Sequence, residues 1–588
     1  MSRTTVLLAL LIAVNKVEAD DQRLPVPMNA CVLSLQDANR LSEEAEFFRY
    51  VWVPDGAEEK SARLDVALNF AVSRAGLPFK SHRVGGGVLR VDLRQLALKD
   101  KDLQELINNW EKLADDEPYF LVNAEQEVQI LVVTGNEVLV RSEDETVRTL
   151  KKGHEEHYTS KIEFGGRWWY RLHDGYVLDE DVQVKASKKK ARVLGVHCGI
   201  ESLALHDLTL SRVPVVRYDY LIRKLLSTLE GGLYYEFRGI KESPDPKITD
   251  IDFFLREFAG VTEAEVAKLA QDPRNKVAMF ESEVTHKPRG VVFFTGVQSR
   301  STVNQGLVAI TQDLLNDSLG PEQDPVRDLL NPAFDGTEVF VEWGNVIIYA
   351  LFGGDLDGDG IFEVDGDKGE EGALVRVAPD QLVTDETVPG GHTTNLQPAI
   401  SCMRCHSRTK DGKAHEGWIP VKNDIQESIK SGLFVFGSVE DGYPKRETID
   451  KLLGMYQGRI EKPLTRARDD LAESMVRITG DVGNDKQSVT TKYHVGLSVD
   501  YNEYWYGTVT PQVACRELGF SVTEEDAALT LRRLLPPGPP NQFGFIQEDP
   551  YVGGLKRGAS IKRRQWELIY PTVAFRAIDA LLLEKANK

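Results

Sequence analysis

Cysteine is scarce: five in 588 residues. That density excludes a small scaffold held by disulfides, and it makes any close pair of cysteines informative. Long apolar runs are missing too. Val6–Val14 (VLLALLIAV) would reach about 14 Å as a helix, against ~30 Å of hydrocarbon in a bilayer. Nowhere do 18 apolar residues follow one another, so no membrane-spanning helix is expected. Positive charge is in deficit: 71 Lys and Arg against 91 Asp and Glu, for a net charge of -20. A nucleic acid would be repelled by such a surface, whereas a basic protein or a cation would be attracted. Repeats are absent as well, which excludes solenoids and propellers.

What remains is the composition of a globular protein, with 41% hydrophobic and 28% charged residues. The length exceeds what one core holds, so several domains are expected. Arg3, the apolar run and Val17-Glu18-Ala19 follow the order of a secretory signal peptide. Export to the periplasm or beyond the cell is the expectation, with residues 1–19 removed.

Residues 20–184 read as α+β. Leu103, Leu106, Ile107, Trp110 and Leu113 share one helical face. Val128–Arg141 alternates around Gly135-Asn136 and predicts a hairpin. Lys185–Arg192 (KASKKKAR) reads as a solvated linker. Residues 185–338 are expected to be mainly helical, with helices over Tyr218–Leu229 and Asp250–Ala270 and a capping pair at Thr262 and Glu265. Residues 339–400 open with a hairpin turning at Gly344-Asn345 and continue into an acidic loop. Residues 401–480 form the segment around the cysteine pair. It has stripes at Ile449, Leu452, Leu453, Tyr456 and Ile460, then at Leu464, Ala467, Leu471, Met475 and Ile478. Residues 481–588 read as helical, broken by Pro536–Pro540. The fold class expected is multidomain α+β with a helical segment around the cysteines.

Cys402-Met403-Arg404-Cys405-His406 carries the strongest chemical signal. Two thiols three residues apart share one side of a helical turn, where they can add to the two vinyl groups of a porphyrin. The next residue, His406, can then offer a neutral imidazole nitrogen to the iron. This spacing is the one read as c-type haem attachment. With five cysteines and eleven histidines in the chain, chance would produce it about once in a thousand such sequences. A zinc site needs four ligands and no second CxxC exists. A thioredoxin-like pair needs a βαβ setting, which Gly391–Ser401 does not suggest. One covalent haem c, held by Cys402, Cys405 and His406, is therefore expected.

The sixth iron ligand stays open. Met403 lies inside the attachment loop and faces the wrong way. Met455 and Met475 lie downstream, each equally readable as a core residue. His392, His415, His494 or a vacant position are the other choices. A methionine would raise the potential, and a vacancy would admit small molecules. Of the other cysteines, Cys31 and Cys198 leave a disulfide open, while Cys515 reads as a buried apolar residue.

Asp355, Asp357 and Asp359 alternate before Gly360, like the opening of a calcium loop. The twelfth position is Gly366 instead of Glu, and the flanks read as strands. A solvated acidic hairpin tip is the leading reading and Ca²⁺ the alternative. His154 and His157 lack the HExxH spacing and read as a surface loop.

The chain as a whole resembles the large secreted mono-haem cytochrome c-domain proteins of the planctomycete type. The matching stretches are Val88–Arg94, Val213–Arg217, Tyr234–Gly239, Asp335–Phe340, Ala399–His406 and Ala514–Gly519. The haem motif is specific, and the others count mainly by their order. The resemblance implies haem binding and electron transfer with a redox partner protein, and only Cys402, Cys405 and His406 carry over. The acidic segment Asp355–Asp367 departs from it. An electron carrier is thus expected ahead of a haem-dependent oxidase or peroxidase, or a haem-based sensor. One CxxCH is fewer than many peroxidase-like c-type enzymes carry.

Overall fold

The computed structural model describes residues 30–574 apart from 118–124, 191–214, 267–275, 282–287, 296–305, 315–333, 354–360, 377–397, 415–460, 536–548 and gaps of four residues or fewer. The chain is mixed α+β. First come β1 (Phe48–Trp52), α1 (Glu58–Ala71), β2 (His82–Gly85), β3 (Val88–Asp92) and α2 (Asp100–Asp115). A run of strands follows: β4 (Glu125–Val133), β5 (Glu137–Ser142), β6 (Glu145–Lys151), β7 (Glu155–His157), β8 (Ser160–Phe164), β9 (Arg167–Arg171), β10 (Tyr176–Leu178) and β11 (Val182–Lys190). Then β12 (Val215–Arg217) leads into α3 (Tyr218–Leu225), α4 (Tyr234–Arg238) and α5 (Asp250–Phe254). Strands return as β13 (Lys276–Glu281), β14 (Pro288–Thr295), β15 (Leu307–Leu314), β16 (Phe334–Trp343), β17 (Val346–Gly353), β18 (Ile361–Val364), β19 (Asp367–Glu370) and β20 (Leu374–Val375). The rest is mainly helical: α6 (Ile400–His406), α7 (Glu461–Thr479), α8 (Lys486–Tyr506), α9 (Pro511–Glu517), α10 (Glu524–Leu534) and α11 (Pro550–Lys556).

The sheet β12–β1–β3–β2 organises the molecule. β1 is paired on both edges, parallel to β12 and antiparallel to β3. Side chains of a strand alternate between faces, and here both faces are covered. Val51, Val53, Leu89, Val91 and Val216 enter the larger core, with α1 to α5, β15 to β17 and α6 to α8. Phe48, Tyr50, Trp52, Val88 and Val215 enter a second core, with α9 to α11. A third, small core belongs to the β4–β11 region, around Leu131, Val140, Tyr170 and Val177.

Buried charge ties the sheet to the C-terminal part. Arg217, at the end of β12, pairs with Asp219 and Glu567. Tyr504 Oη donates to Glu567 Oε2 at 2.7 Å. Tyr218 Oη donates to Asp500, and Arg63 Nη2 donates to Asp500 Oδ1 at 3.2 Å. Such pairs are costly to break singly, because each leaves a buried charge uncompensated.

Several sequence expectations meet the structure directly. α2 forms with Leu106, Trp110 and Leu113 fully buried. β16 and β17 pair antiparallel with Trp343 opposite Val346, across a turn where Gly344 has φ +61°. The capping box closes reciprocally: Glu265 N donates to Thr262 Oγ1 at 3.1 Å and Thr262 N to Glu265 Oε2 at 2.7 Å. Cys515 is fully buried in α9, and its thiol donates to Ala527 O at 3.4 Å.

Others differ. β4 and β5 flank Gly135 as expected but do not pair with each other. β4 lies between β11 and β7, while β5 lies between β6 and β10. Asp181 O takes both Thr134 N and Gly135 N, so the turn is tied to a third segment instead of closing a hairpin. The basic run is no linker. Lys185–Lys190 lies in β11, whose register sets Lys188 opposite Glu127 and Lys190 opposite Glu125. The Asp250–Ala270 helix is interrupted: a π turn at Leu255–Ala259 ends on Gly260, at φ +72°. His157 sits in β7, opposite Ile130, and His154 is exposed beside it. The leader, the 449–460 stripe, Pro536–Pro540, Cys31 and Cys198 lie outside the described residues. Among the described residues no helix is long and apolar enough to cross a membrane.

Candidate functional site

The helix bearing the cysteines, α6, starts abruptly. Ala399 is fully buried with φ +70°, a left-handed conformation that costs an L-residue roughly 1–2 kcal/mol. Its carbonyl takes Met403 N at 2.7 Å, closing the first turn. Ile400 N is 3.3 Å from Leu226 O, just past the end of α3. The start of α6 is thus fixed to a buried helix, and the strain is held by its surroundings.

Within α6, Ser401, Cys402 and Met403 are buried. Positions 402, 405 and 406 stand at i, i+3 and i+4, so the helical period lays them along one stripe. Cys402 faces α4. Both Tyr234 and Tyr235 lie within electrostatic reach of its sulfur. Burial first, and that neighbour in addition, hold both phenols far above their usual range and hence neutral. Each hydroxyl is also held by backbone. Tyr349 N donates to Tyr234 Oη and Leu351 N to Tyr235 Oη, both at 3.1 Å, and Tyr235 Oη donates to Val375 O at 2.8 Å.

Phe70, near the end of α1, joins this wall to α8. Its ring stacks on Tyr234 at 5.9 Å, tilts against Tyr349 at 5.7 Å and meets the His494 imidazole at 6.4 Å. α6 packs on α8, the helix that carries His494. His494 is buried. Met475 is buried as well, but on α7, which packs on α8, α1 and the strands β15 and β17.

The remaining sequence candidates separate in space or lie outside view. Asp355, Asp357 and Asp359 fall outside the described residues, in the connection from β17 to β18, so the expected strand flanks are present. Met455, His392 and His415 also lie outside. Among the described residues no cluster of three or more His, Cys, Asp or Glu side chains is placed to hold a bare metal ion. Sequence reading did not single out Phe70, Tyr234, Tyr235 or Tyr349 as site residues. The adjacent tyrosines of Tyr234–Gly239 were the available signal, and their meaning depends on a fold that brings four segments together.

The donor set suits a porphyrin better than a bare ion: two thiol positions and one imidazole position on a single helical stripe, with an aromatic wall beside Cys402. Comparison with family models, with curated proteins and with solved structures finds no match to this chain.

Proposed function

We propose that this chain is a periplasmic or secreted c-type cytochrome that carries one haem, tethered by Cys402 and Cys405 and ligated by His406, and that it transfers single electrons. The observation that supports this reading best is the stripe of positions 402, 405 and 406 on a short helix whose start is buried against Tyr234 and Tyr235. A bound haem iron would supply the one-electron chemistry.

The protein's part is to tether, orient and tune. The fixed start of α6, with Ala399 and Ile400 locked to buried neighbours, would hold helix positions 402, 405 and 406 in one place for the haem. The Tyr234 and Tyr235 hydroxyls are neutral and tied to strand backbone, so they set no charge beside Cys402. An aromatic lining with the Arg238 guanidinium behind Tyr234 disfavours the more highly charged ferric state and raises the potential. Among the ligand candidates we favour His494 for the sixth position. It lies on the helix that α6 packs against and borders the same aromatic wall as Cys402, whereas Met475 belongs to the neighbouring helix. The excess of acidic residues suits a basic redox partner protein.

Absorption spectra of the purified oxidised and reduced protein test the reading. Reversible reduction with low-spin, six-coordinate spectra in both states is expected. A redox-inert protein would overturn electron transfer, and a high-spin spectrum shifted by carbon monoxide or cyanide would favour ligand chemistry instead.

A further inference from the structure

Arg238 ends α4 with its side chain fully buried. Its Nη1 donates to Ser73 O, just past the end of α1. Its Nε and Nη2 have no acceptor, and Ser73 Oγ has no partner either. Among the described residues no carboxylate pairs with it. After burial, the neighbours that bear on it are the neutral Tyr234 phenol and then Arg74, of the same sign and already taken by Glu105 at 3.1 Å and Asp102 at 3.6 Å. Burial lowers the Arg238 pKa only to about 10, so the guanidinium stays charged at neutral pH.

A lone guanidinium in a dry core is strongly unfavourable unless something compensates it. The two unused nitrogens are telling. Nε and Nη2 form one edge of the planar fork, the edge that takes a carboxylate or a halide with two parallel N–H bonds. The Nη1 bond to Ser73 O ties the guanidinium to the residue whose hydroxyl is also without a partner among the described residues. Three donor atoms and a net positive charge therefore lie on two residues in direct contact, with no acceptor for them among the described residues.

We infer that Arg238 and Ser73 form a receptor for one small monoanion, a halide or a carboxylate, bound by the Nε–Nη2 fork and the Ser73 hydroxyl. The carboxylate can come from solution or from a propionate of the tethered porphyrin, since Arg238 lies one turn along α4 from Tyr234. The receptor itself does not depend on the haem assignment, because the unpaired fork is a property of the folded chain.

The test is a bromide titration of the thermal midpoint of the full-length protein, compared with Arg238→Met at matched ionic strength with sulfate as the balancing salt. An anion bound only by the native state stabilises it in proportion to the logarithm of its concentration above Kd. The wild-type midpoint is expected to climb steadily relative to the variant with each tenfold rise in bromide, and Ser73→Ala to respond more weakly than wild type. The same titration on Cys402→Ala/Cys405→Ala separates the sources. A response in both haem-loaded and haem-free chains assigns a free ion, and a response confined to the haem-free chain assigns a propionate. A flat difference in both chains overturns the inference. Bromide-soaked crystals of the haem-loaded protein give an independent answer should a variant fail to fold. Anomalous density or a propionate at the fork supports the receptor, and a water molecule or nothing there refutes it.

Discussion

The His494 imidazole meets the Phe70 ring edge-on, with centroids 6.4 Å apart and planes at 64°. Phe70 stacks in turn on Tyr234, which borders Cys402, so one aromatic residue links the helix that carries His494 to the tyrosine beside Cys402. If His494 supplies the sixth ligand, His494→Ala will convert a low-spin spectrum to high-spin and speed carbon monoxide binding by roughly tenfold or more, because the iron position opens. Met475→Ala will leave the spectrum unchanged while costing about 2–4 kcal/mol of stability, as truncation of a buried methionine does. Loss of a methionine–iron band in Met475→Ala would reverse the assignment.

Ala399 offers a test of the strain that sets α6. Glycine adopts φ +70° freely, whereas alanine pays for it. The gain is offset in part by the larger entropy of the unfolded chain, so Ala399→Gly is expected to raise stability by up to about 1 kcal/mol. Ala399→Val, with a branched side chain in a fully buried left-handed position, should lower it by about 2 kcal/mol or more. Urea midpoints at unchanged slope measure both.

Asp65 predicts a pH dependence. Desolvation by burial raises its pKa from 3.8 to about 7, although Ser81 donates to it through both N and Oγ. Between those values the native state holds a proton that the unfolded chain has released. This group's contribution is therefore most favourable below about pH 4 and is lost as pH rises to 7. Asp65→Asn should abolish that component, worth at most about 4 kcal/mol. The difference between wild-type and variant unfolding free energies at pH 5 and pH 8 reads it directly, and a difference that does not change with pH would contradict it.

Arg217 and Glu567 form the buried clamp between β12 and the C-terminal part. Glu567→Gln keeps an oxygen for Tyr504 Oη but removes a charge opposite a buried guanidinium. A loss of about 3 kcal/mol is expected. Replacing both Arg217 and Glu567 with apolar residues of similar size should cost more than the single change, because Asp219 and the fully buried Glu117 then lose the guanidinium they face, and an equal or smaller loss would argue against this network.

How much of this was legible in the sequence depends on how local each signal is. The Gly344 turn and the Thr262–Glu265 box are each written within a few residues, and the structure forms both; the Cys402–His406 spacing is as local, and the structure places it on a helix. The pairing of β4 and β5 was not legible, because a period of two marks a strand without naming its neighbour. Lys185–Lys190 hid a strand because charge usually marks solvated chain, while here the register places glutamates opposite. The wall beside Cys402 draws Phe70, Tyr234 and Tyr349 from three distant segments, and no local pattern announces such a meeting. The idle fork of Arg238 is visible only once burial is known.

The intact mass of denatured, secreted protein, matured with haem-attachment machinery, tests the central claim most directly. The account predicts a mass increased by one haem, a peroxidase stain that survives the denaturing gel, and loss of both in Cys402→Ser/Cys405→Ser. A wild-type chain with unaltered mass and no stain under the same conditions would contradict it.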